Sequence, residues 1–345
     1  MRKESYLFGE FMEKKSGSKQ PLKNLSSLRD ALHSWFGEEG KNHPWRRTQD
    51  PWAILVSEIM LQQTTVAAVI ANRRFEKFLD KFPDLIAISI APEPQLLKAW
   101  EGLGYYNRVR NLQKTAIAVL AHYDGEFPKD PATLETLPGI GKYTAGAVSS
   151  FAFDQAAPIV DANIARVLAR LFDYQQEIDS TSGQRQIWDW ARQLLDSNSP
   201  RLFNSAIMEL GQTHCASKKP ACLVCPLVRF CQCTKPEELP RKKPRKKMED
   251  VEEHALLHVK NDQIFLTQEE GSRRKGFWRL PLATAEETAH LKAQSTHRYT
   301  ITHHKVTVSL YRVAQIEGEG KFFSAHELEK LPIASPIRKI IESSI

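Results

Sequence analysis

The stretch LPGIGKYTAGAV, residues 137–148, decides the fold class of this chain. Its glycines, Gly139 and Gly141, separate two helical patterns, and a residue without Cβ lets the backbone turn tightly while its N–H groups approach a phosphate. Such a pair is a common helix connection and on its own is weak evidence. Twenty residues after Gly141, however, PIVDANIARV places Asp161 where an acidic side chain caps a helix well. The combination predicts two helices joined by a phosphate-binding hairpin and followed by a helix that an acidic residue caps.

Helical periodicity extends in both directions from the hairpin. From residue 25 to about 213, apolar residues recur three and four positions apart, with short breaks at proline and glycine, which indicates a nearly all-α region. After residue 250 the sequence changes to short strand-like segments with a terminal helix, typical of an α+β domain. Residues 1–24 are interpreted as a polar, mobile arm and residues 234–250 as a basic linker.

Length and charge limit the classes of protein. The 345 residues suffice for two or three domains, and 48 Lys and Arg against 41 Asp and Glu favour a polyanionic partner such as nucleic acid. The sequence contains no apolar stretch long enough for a membrane helix and no signal-peptide pattern at its N-terminus. We therefore expect an intracellular monomer without a membrane partner, cytoplasmic and at the nucleoid if the source is bacterial.

All five cysteines fall between residues 215 and 233, and such clustering indicates a metal site more than disulfides. Six, two and five residues separate four of them, which are Cys215, Cys222, Cys225 and Cys231. Structural zinc sites more often use two Cys-x-x-Cys pairs, whereas this run has one, and thiolates also bind iron–sulfur clusters. The spacing leaves both metals open, and Cys233 falls outside the pattern.

Together these features resemble the helix-hairpin-helix DNA glycosylase superfamily over residues 28–233, and the cysteine spacing resembles that of endonuclease III and MutY. The resemblance implies a [4Fe-4S] cluster on the four cysteines. It also implies two helical lobes, a six-helix barrel over about 48–147 and an iron–sulfur lobe from about 25–47 and 148–233. Asp161 matches the essential aspartate, which the helix macrodipole should hold ionised.

Other positions refine the resemblance. Bifunctional members of the superfamily carry at position 143 a lysine that forms a Schiff base, and Tyr143 cannot do so, which implies a monofunctional glycosylase. We expect Tyr143 and Asn163 to orient Asp161 and the reacting sugar.

A glutamate within an apolar helical run is the strongest indication of substrate. Glu58 would lie at the border of a buried face, and burial raises a carboxyl pKa enough for proton donation near neutral pH. A structural glutamate is the alternative, but SEIMLQQT (57–64) resembles the MutY motif whose glutamate protonates adenine. The same resemblance assigns the walls of a base pocket to Trp45 and Arg46, and contacts around the opposite, oxidised guanine to Gln63, Leu103 and Tyr105.

The segments GFWRLPL (276–282) and TITHHKVTV (300–308) resemble the Nudix-like C-terminal domain of MutY, here residues 251–345. A Nudix catalytic box is absent from the sequence, so nucleotide hydrolysis is not expected. In the family a Phe-Ser-His triplet recognises oxidised guanine. This chain has Ile301, Thr302 and His303, which keep a hydroxyl and a donor but lack the aromatic ring.

The resemblance implies a base excision repair glycosylase that acts on double-stranded DNA and removes adenine opposite 8-oxoguanine or guanine. Two alternatives stay open. KYT (142–144) and DAN (161–163) also resemble thymine-mismatch glycosylases of the same superfamily, although those lack the helix glutamate and the C-terminal domain. The other alternative is a damage-binding module that does not cleave, against which Glu58 and Asp161 argue.

Overall fold

The computed structural model describes residues 24–244, 247–271 and 274–344. The arm expected at residues 1–24 lies outside these ranges apart from Asn24, which caps the first helix. Helices fill most of residues 25–213 and strands begin at residue 249, so the predicted fold class, a mainly α region followed by an α+β region, is confirmed. No helix in the described ranges combines the length and the apolar character that a membrane crossing requires.

The helices of the N-terminal region are short and follow one another closely. They are α1 (Leu25–Glu39), α2 (Pro51–Leu61), α3 (Val66–Ala71), α4 (Arg74–Lys81), α5 (Leu85–Ser89), α6 (Glu93–Ala99), α7 (Asn107–His122), α8 (Pro131–Leu134), α9 (Lys142–Phe153), α10 (Ala162–Leu171), α11 (Thr181–Leu194) and α12 (Pro200–Thr213). Two 3-10 turns, Cys222–Val224 and Val228–Phe230, shape the cysteine loop after α12.

Helix α2 forms the centre of the first lobe. It begins where the carboxylate of Asp50 accepts hydrogen bonds from the N–H groups of Trp52 and Ala53, with a proline at the first helical position. Every residue from Trp52 to Met60 is buried. Glu58 is one of these buried residues, and its side chain also lines a cavity.

The predicted hairpin connects α8 to α9. Gly139 adopts φ +76°, and a Cβ there would lie 2.5 Å from Cβ of Asn111, so both the backbone conformation and the space require glycine. Gly141 is the N-cap residue of α9 with an ordinary φ of −96° and open space around it. Its N–H group lies at a helix N-terminus, where an anion is favoured.

Two hydrophobic clusters divide the helical region into two lobes. The first contains side chains of α2 to α9, and the second joins α1 to α10, α11 and α12. Helix α9 belongs to both, since Ala145 and Val148 pack in the first cluster and Ala147 packs in the second. Residues on α9 therefore lie at the boundary between the lobes.

In its described residues, the C-terminal region contains one mixed sheet, one antiparallel sheet and three short helices. Its elements are β1 (Glu249–Leu257), β2 (Val259–Lys260), β3 (Gln263–Gln268), β4 (Trp278–Arg279), β5 (Leu282–Ala283), α13 (Ala285–Thr288), β6 (Ser295–Ile301), β7 (His304–Arg312), β8 (Lys321–Ser324), α14 (Ala325–Lys330) and α15 (Ser335–Glu342). One sheet has the order β5-β1-β7-β6, in which β1 and β7 are parallel, and the other joins β2, β4 and β8 to β3.

This region packs directly on the first helical lobe. The rings of Tyr106 and Phe277 lie 4.1 Å apart, and the guanidinium of Arg338 on α15 binds the carboxylate of Glu101. The contact fixes the C-terminal region beside the loop that precedes α7.

Candidate active site

A cavity of about 1520 Å³ opens between the two helical lobes. Helix α2 and the start of α9 form one wall, and the start of α10 and parts of α12 form the other. Seven of the predicted site residues line it, and these are Trp45, Arg46, Glu58, Gln63, Tyr143, Asp161 and Asn163. Residues far apart in sequence thus meet in one space.

Glu58 lies at the bottom of this cavity and is only 5% exposed. Its pKa is raised from 4.5 to about 7, mainly because burial disfavours the charged form. The hydrogen bond from Tyr143 and the positive charge of Arg46 lower this pKa, and the negative charge of Asp161 raises it. The Tyr143 hydroxyl donates a 2.7 Å hydrogen bond to Oε2 of Glu58. Near neutral pH the carboxyl is therefore partly protonated, as a proton donor must be.

Tyr143 has a different partner from the one expected. We predicted that it would orient Asp161, whereas its hydroxyl binds Glu58, because α2 packs against α9 and lies closer to this side chain. Burial raises the pKa of Tyr143 well above its ordinary value, so the phenol stays a hydrogen-bond donor. This hydrogen bond links Glu58 to helix α9, which follows the hairpin.

Asp161 is the N-cap residue of α10 and faces the same cavity. Its Oδ1 accepts a 2.7 Å bond from the N–H of Ile164, and its Oδ2 accepts a 2.9 Å bond from Nδ2 of Asn163. These bonds stabilise the charged form as expected, but burial outweighs them and raises the pKa of Asp161 above its usual value. Asn163 therefore orients the carboxylate directly.

The wall beside Glu58 contains an ion pair that the sequence prediction missed. Nη1 of Arg46 lies 2.8 Å from Oε2 of Glu209, whose side chain is 1% exposed. Trp45 stacks on His43 with ring centroids 4.9 Å apart. A charged residue within the apolar run FNSAIMELG was the available signal for Glu209, and it is the same signal that identified Glu58.

Arg166 is a second residue that the prediction missed. Its Nη2 donates a 3.0 Å bond to Oδ1 of Asn163 and a bond to the carbonyl of Gly211, and its Nε donates to the carbonyl of Cys215 at 2.8 Å. Gly211 allows this approach, because a Cβ there would lie 2.9 Å from Cβ of Asn163. Arg166 and Arg170 are four residues apart and therefore share a face of α10, and both bind carbonyls of the cysteine loop.

The four predicted ligand cysteines share one loop. Desolvation raises the pKa of both Cys225 and Cys231 to about 11. The charges of Cys215 and Cys222 raise the pKa of Cys225 further, and those of Cys233, Cys215 and Cys225 raise the pKa of Cys231, so all five cysteines lie in one neighbourhood. The guanidinium of Arg170 donates to Sγ of Cys215 at 3.4 Å. Thiols with raised pKa values ionise when a metal centre supplies positive charge. The donor set therefore fits a thiolate-bound cluster.

Of the three residues predicted to meet the opposite base, Gln63 lines the cavity, whereas Leu103 and Tyr105 lie outside it. Gln63 lines it with φ +55°, and Tyr105, with φ +47°, is 48% exposed in the loop before α7. Leu103 is buried in the core beneath that loop. Its side chain would have to leave this packing to enter a DNA duplex.

Thr302 and His303 lie outside the cavity, in the turn between β6 and β7. Thr302 adopts φ +55° and donates its hydroxyl to the carbonyl of Ile301 at 2.7 Å. Nε2 of His303 and Nε2 of His304 lie 3.8 and 3.3 Å from Oε2 of Glu249. Each of the three side chains offers one ligand atom, and these atoms lie within 4.8 Å of one another, a spacing that a metal ion can bridge.

A further group of buried charges lies in the C-terminal region, around a cavity of about 240 Å³. Arg279 lies 2.9 Å from Glu253 and 3.6 Å from Glu269, and Arg274 lies 3.5 Å from Glu269. The hydroxyl of Tyr299 donates to Glu253 at 3.4 Å. We call these five residues the C-terminal charge cluster.

Comparison with known proteins identifies relatives of the helical region. The model of the HhH-GPD superfamily of base excision DNA repair proteins matches residues 56–193. The chain is 40% identical to the adenine DNA glycosylase of Homo sapiens over 217 residues, which is 60% of this chain and 39% of that protein. It is 39% identical to the adenine DNA glycosylase of Mycolicibacterium smegmatis over 57% of this chain and 66% of that protein. It thus spans less than two thirds of each relative.

A solved structure agrees with this result. The structure of a thermostable thymine-DNA glycosylase aligns with a TM-score of 0.55 and 30% identity, over 61% of this chain and 96% of that one. An endonuclease III–DNA complex aligns with a TM-score of 0.53 at 24% identity, over 64% of this chain and 97% of that one, and supports the fold alone.

Proposed function

The chain belongs to the HhH-GPD superfamily of base excision DNA repair proteins, and on that premise we propose that it is a DNA N-glycosylase that removes adenine opposite 8-oxoguanine or guanine. The observation that carries the proposal is the pair of carboxyl groups, Glu58 and Asp161, facing one cavity with different hydrogen-bond partners. The partner is double-stranded DNA from which the adenine is rotated into that cavity.

Glu58 is the general acid. With a pKa of about 7 it holds a proton in the pocket at physiological pH and delivers it to N7 of adenine, which makes the base a better leaving group. The stacked Trp45 and the paired Arg46 form the wall against which the base lies. Tyr143 keeps the carboxyl in place through its hydrogen bond.

Asp161 stabilises the sugar cation that develops as the glycosidic bond breaks, either as a charge or by a transient covalent bond to the sugar. Asn163 and the N–H of Ile164 keep its oxygens oriented toward the cavity. Position 143 offers a phenol in place of an amine, so the enzyme is monofunctional with little or no strand cleavage.

Recognition of the opposite base involves Gln63, Leu103 and Tyr105 from the helical region. Thr302 and His303 contribute from the turn between β6 and β7, which belongs to the proposed Nudix-like domain of residues 251–345. The backbone at Gly139 and Gly141 holds the DNA phosphates. Residues 234–250 link the two domains, and the helical region divides into a barrel (about 48–147) and an iron–sulfur lobe (about 25–47 and 148–233).

Cys215, Cys222, Cys225 and Cys231 would hold a [4Fe-4S] cluster. Bound there, it would cross-link the cysteine loop and thereby fix the neighbouring end of α10, on which Arg166 and Arg170 bind the same loop. Its role is structural. The thiolate donors and the adjacent guanidinium of Arg170 support this assignment.

Single-turnover assays on three duplexes test the function. We expect base release from adenine opposite 8-oxoguanine and adenine opposite guanine, and none from thymine opposite guanine. Release from the thymine duplex alone would replace adenine by thymine as the substrate. Tight binding without release from any duplex would make the chain a damage-binding module.

A further inference from the structure

Arg108, on the first turn of α7, joins two segments of the proposed site. Its Nη1 donates to the carbonyls of Ile59, Met60 and Gln62 at 2.7, 3.1 and 2.6 Å. These carbonyls end helix α2 directly after Glu58, where a helix leaves its last C=O groups without internal partners. One guanidinium nitrogen therefore fixes the turn that carries the general acid.

The other nitrogen of the same side chain binds the loop before α7. Nη2 of Arg108 donates to the carbonyls of Leu103 and Gly104 at 2.8 and 3.1 Å. The guanidinium lies between two aromatic rings, 5.4 Å from the centroid of Trp100 and 5.6 Å from that of Tyr105. The planar guanidinium group thus contacts both segments at once, which a lysine ammonium group cannot do.

The loop before α7 has an unusual backbone and is anchored at its start. Gly102, Gly104 and Tyr105 all adopt positive φ, at +86°, +68° and +47°. Glu101 at its start is held by Lys98 at 2.7 Å and by Arg338 of the C-terminal region. A displacement of the exposed Tyr105 ring is therefore passed to Arg108, the side chain that contacts the loop from within.

We infer that Arg108 is a positioning residue that couples the engagement of Tyr105 with DNA to the placement of Glu58. The inference rests on the proposed function. It assigns to Arg108 no contact with the substrate. Its effect on base release passes through the carbonyls of α2 on one side and of the loop on the other.

The test combines substitutions at both ends of this link. Arg108→Lys keeps a cation and Arg108→Gln keeps a hydrogen-bond donor. Each of these side chains can bind the carbonyls of either the end of α2 or the loop before α7, but not both. We expect either variant to lower the single-turnover rate of adenine release about tenfold or more, while affinity for an uncleavable duplex changes less than about threefold. Tyr105→Leu should add little to the loss when Arg108 is already replaced, since contacting residues that act as a unit are not additive.

Gln113 provides a matched control on the same helix. Its Nε2 donates to the carbonyls of Ile88 and Ala91 at 3.0 and 2.8 Å and so binds the end of α5, which carries none of the proposed site residues. Gln113→Met should lower stability but leave the rate per folded molecule unchanged. If the Arg108 variants behave like Gln113→Met, or add fully to Tyr105→Leu, the inference is wrong. A wild-type chain that releases no adenine overturns both this inference and the proposed function.

Discussion

Buried carboxyl groups occur in both the helical and the C-terminal region, but their partners differ. In the C-terminal charge cluster, Glu253 and Glu269 each face an arginine within 3.6 Å. In the large cavity, Glu58 accepts a hydrogen bond from the phenol of Tyr143. Asp161 accepts hydrogen bonds from the side-chain amide of Asn163 and from the backbone N–H of Ile164. The carboxyl groups of the C-terminal charge cluster thus have arginines as direct partners, whereas the direct partners of Glu58 and Asp161 are neutral donors.

A second difference between the two regions separates a structural role from a chemical one. In the C-terminal charge cluster, burial raises the pKa of Glu269, and the positive charges of Arg279 and Arg274 lower it. In the large cavity, burial raises the pKa of Glu58 and of Asp161, and hydrogen bonds from neutral donors are the main opposing effect. Because the pKa is raised in both places, the space beside each carboxyl separates the roles: the cavity between the lobes measures about 1520 Å³ and has room for a base, whereas the cluster surrounds about 240 Å³.

The sharpest test of this comparison removes one carboxylate from each region. Glu58→Gln and Asp161→Asn keep the shape of the side chain but remove the acid or the charge, so each should lower adenine release at least about 1000-fold while DNA binding persists. The control is Glu253→Gln, which should leave the rate per folded molecule unchanged. Full turnover in either cavity variant would contradict the assignment.

The opposite experiment removes one of the two arginines of the C-terminal charge cluster. Arg279→Leu would leave the partly buried Glu253 without an arginine and Glu269 with Arg274 alone, and we expect it to lower the free energy of unfolding by about 3 kcal/mol. Urea unfolding measures this loss. A change below about 1 kcal/mol would mean that the cluster does not stabilise the fold.

A third test concerns the free energy of unfolding that is lost when the buried carboxyl of Glu58 ionises. Its pKa of about 7 in the folded chain lies above its ordinary value of 4.5, so the folded state favours the protonated form. Stability should therefore fall as pH rises from about 4.5 to about 7 and then level off. The Glu58→Gln variant should not show this fall. Its free energy of unfolding should equal that of the wild type near pH 4 and exceed it by up to about 3 kcal/mol at pH 8. Equal unfolding curves at both pH values would contradict the raised pKa.

The smallest expected effect comes from the phenol. Because protonated Glu58 is the active form, the rate of base release should fall about tenfold per pH unit above its pKa of about 7. The Tyr143 bond lowers that pKa, so Tyr143→Phe should move the fall to higher pH by roughly one unit or less. Pre-steady-state rates across pH 6 to 9 measure the shift. A fall displaced to lower pH would show that the phenol acts differently.

Local patterns made much of this structure predictable. The period of the apolar residues indicated the helices, and Asp161 followed by a helical run indicated an N-cap, which the structure contains. Tyr143 is 85 residues from Glu58, and Arg46 is 163 residues from Glu209. Such pairs depend on how α2, α9 and α12 pack, so the periodicity of each helix does not determine them. For the same reason, the pattern of α2 predicted one buried face for this helix but not the burial of every residue from Trp52 to Met60.

Gly211 has a consequence for heritable variation. It contributes no functional group, yet its missing Cβ allows α12 to approach α10 so closely that Asn163 and Arg166 meet beside Asp161. A change to alanine adds a single carbon atom, which would meet Cβ of Asn163 at 2.9 Å and the Asn163 carbonyl at 3.2 Å. An allele with this conservative substitution, far from the reacting atoms in sequence, should therefore behave as a mutator.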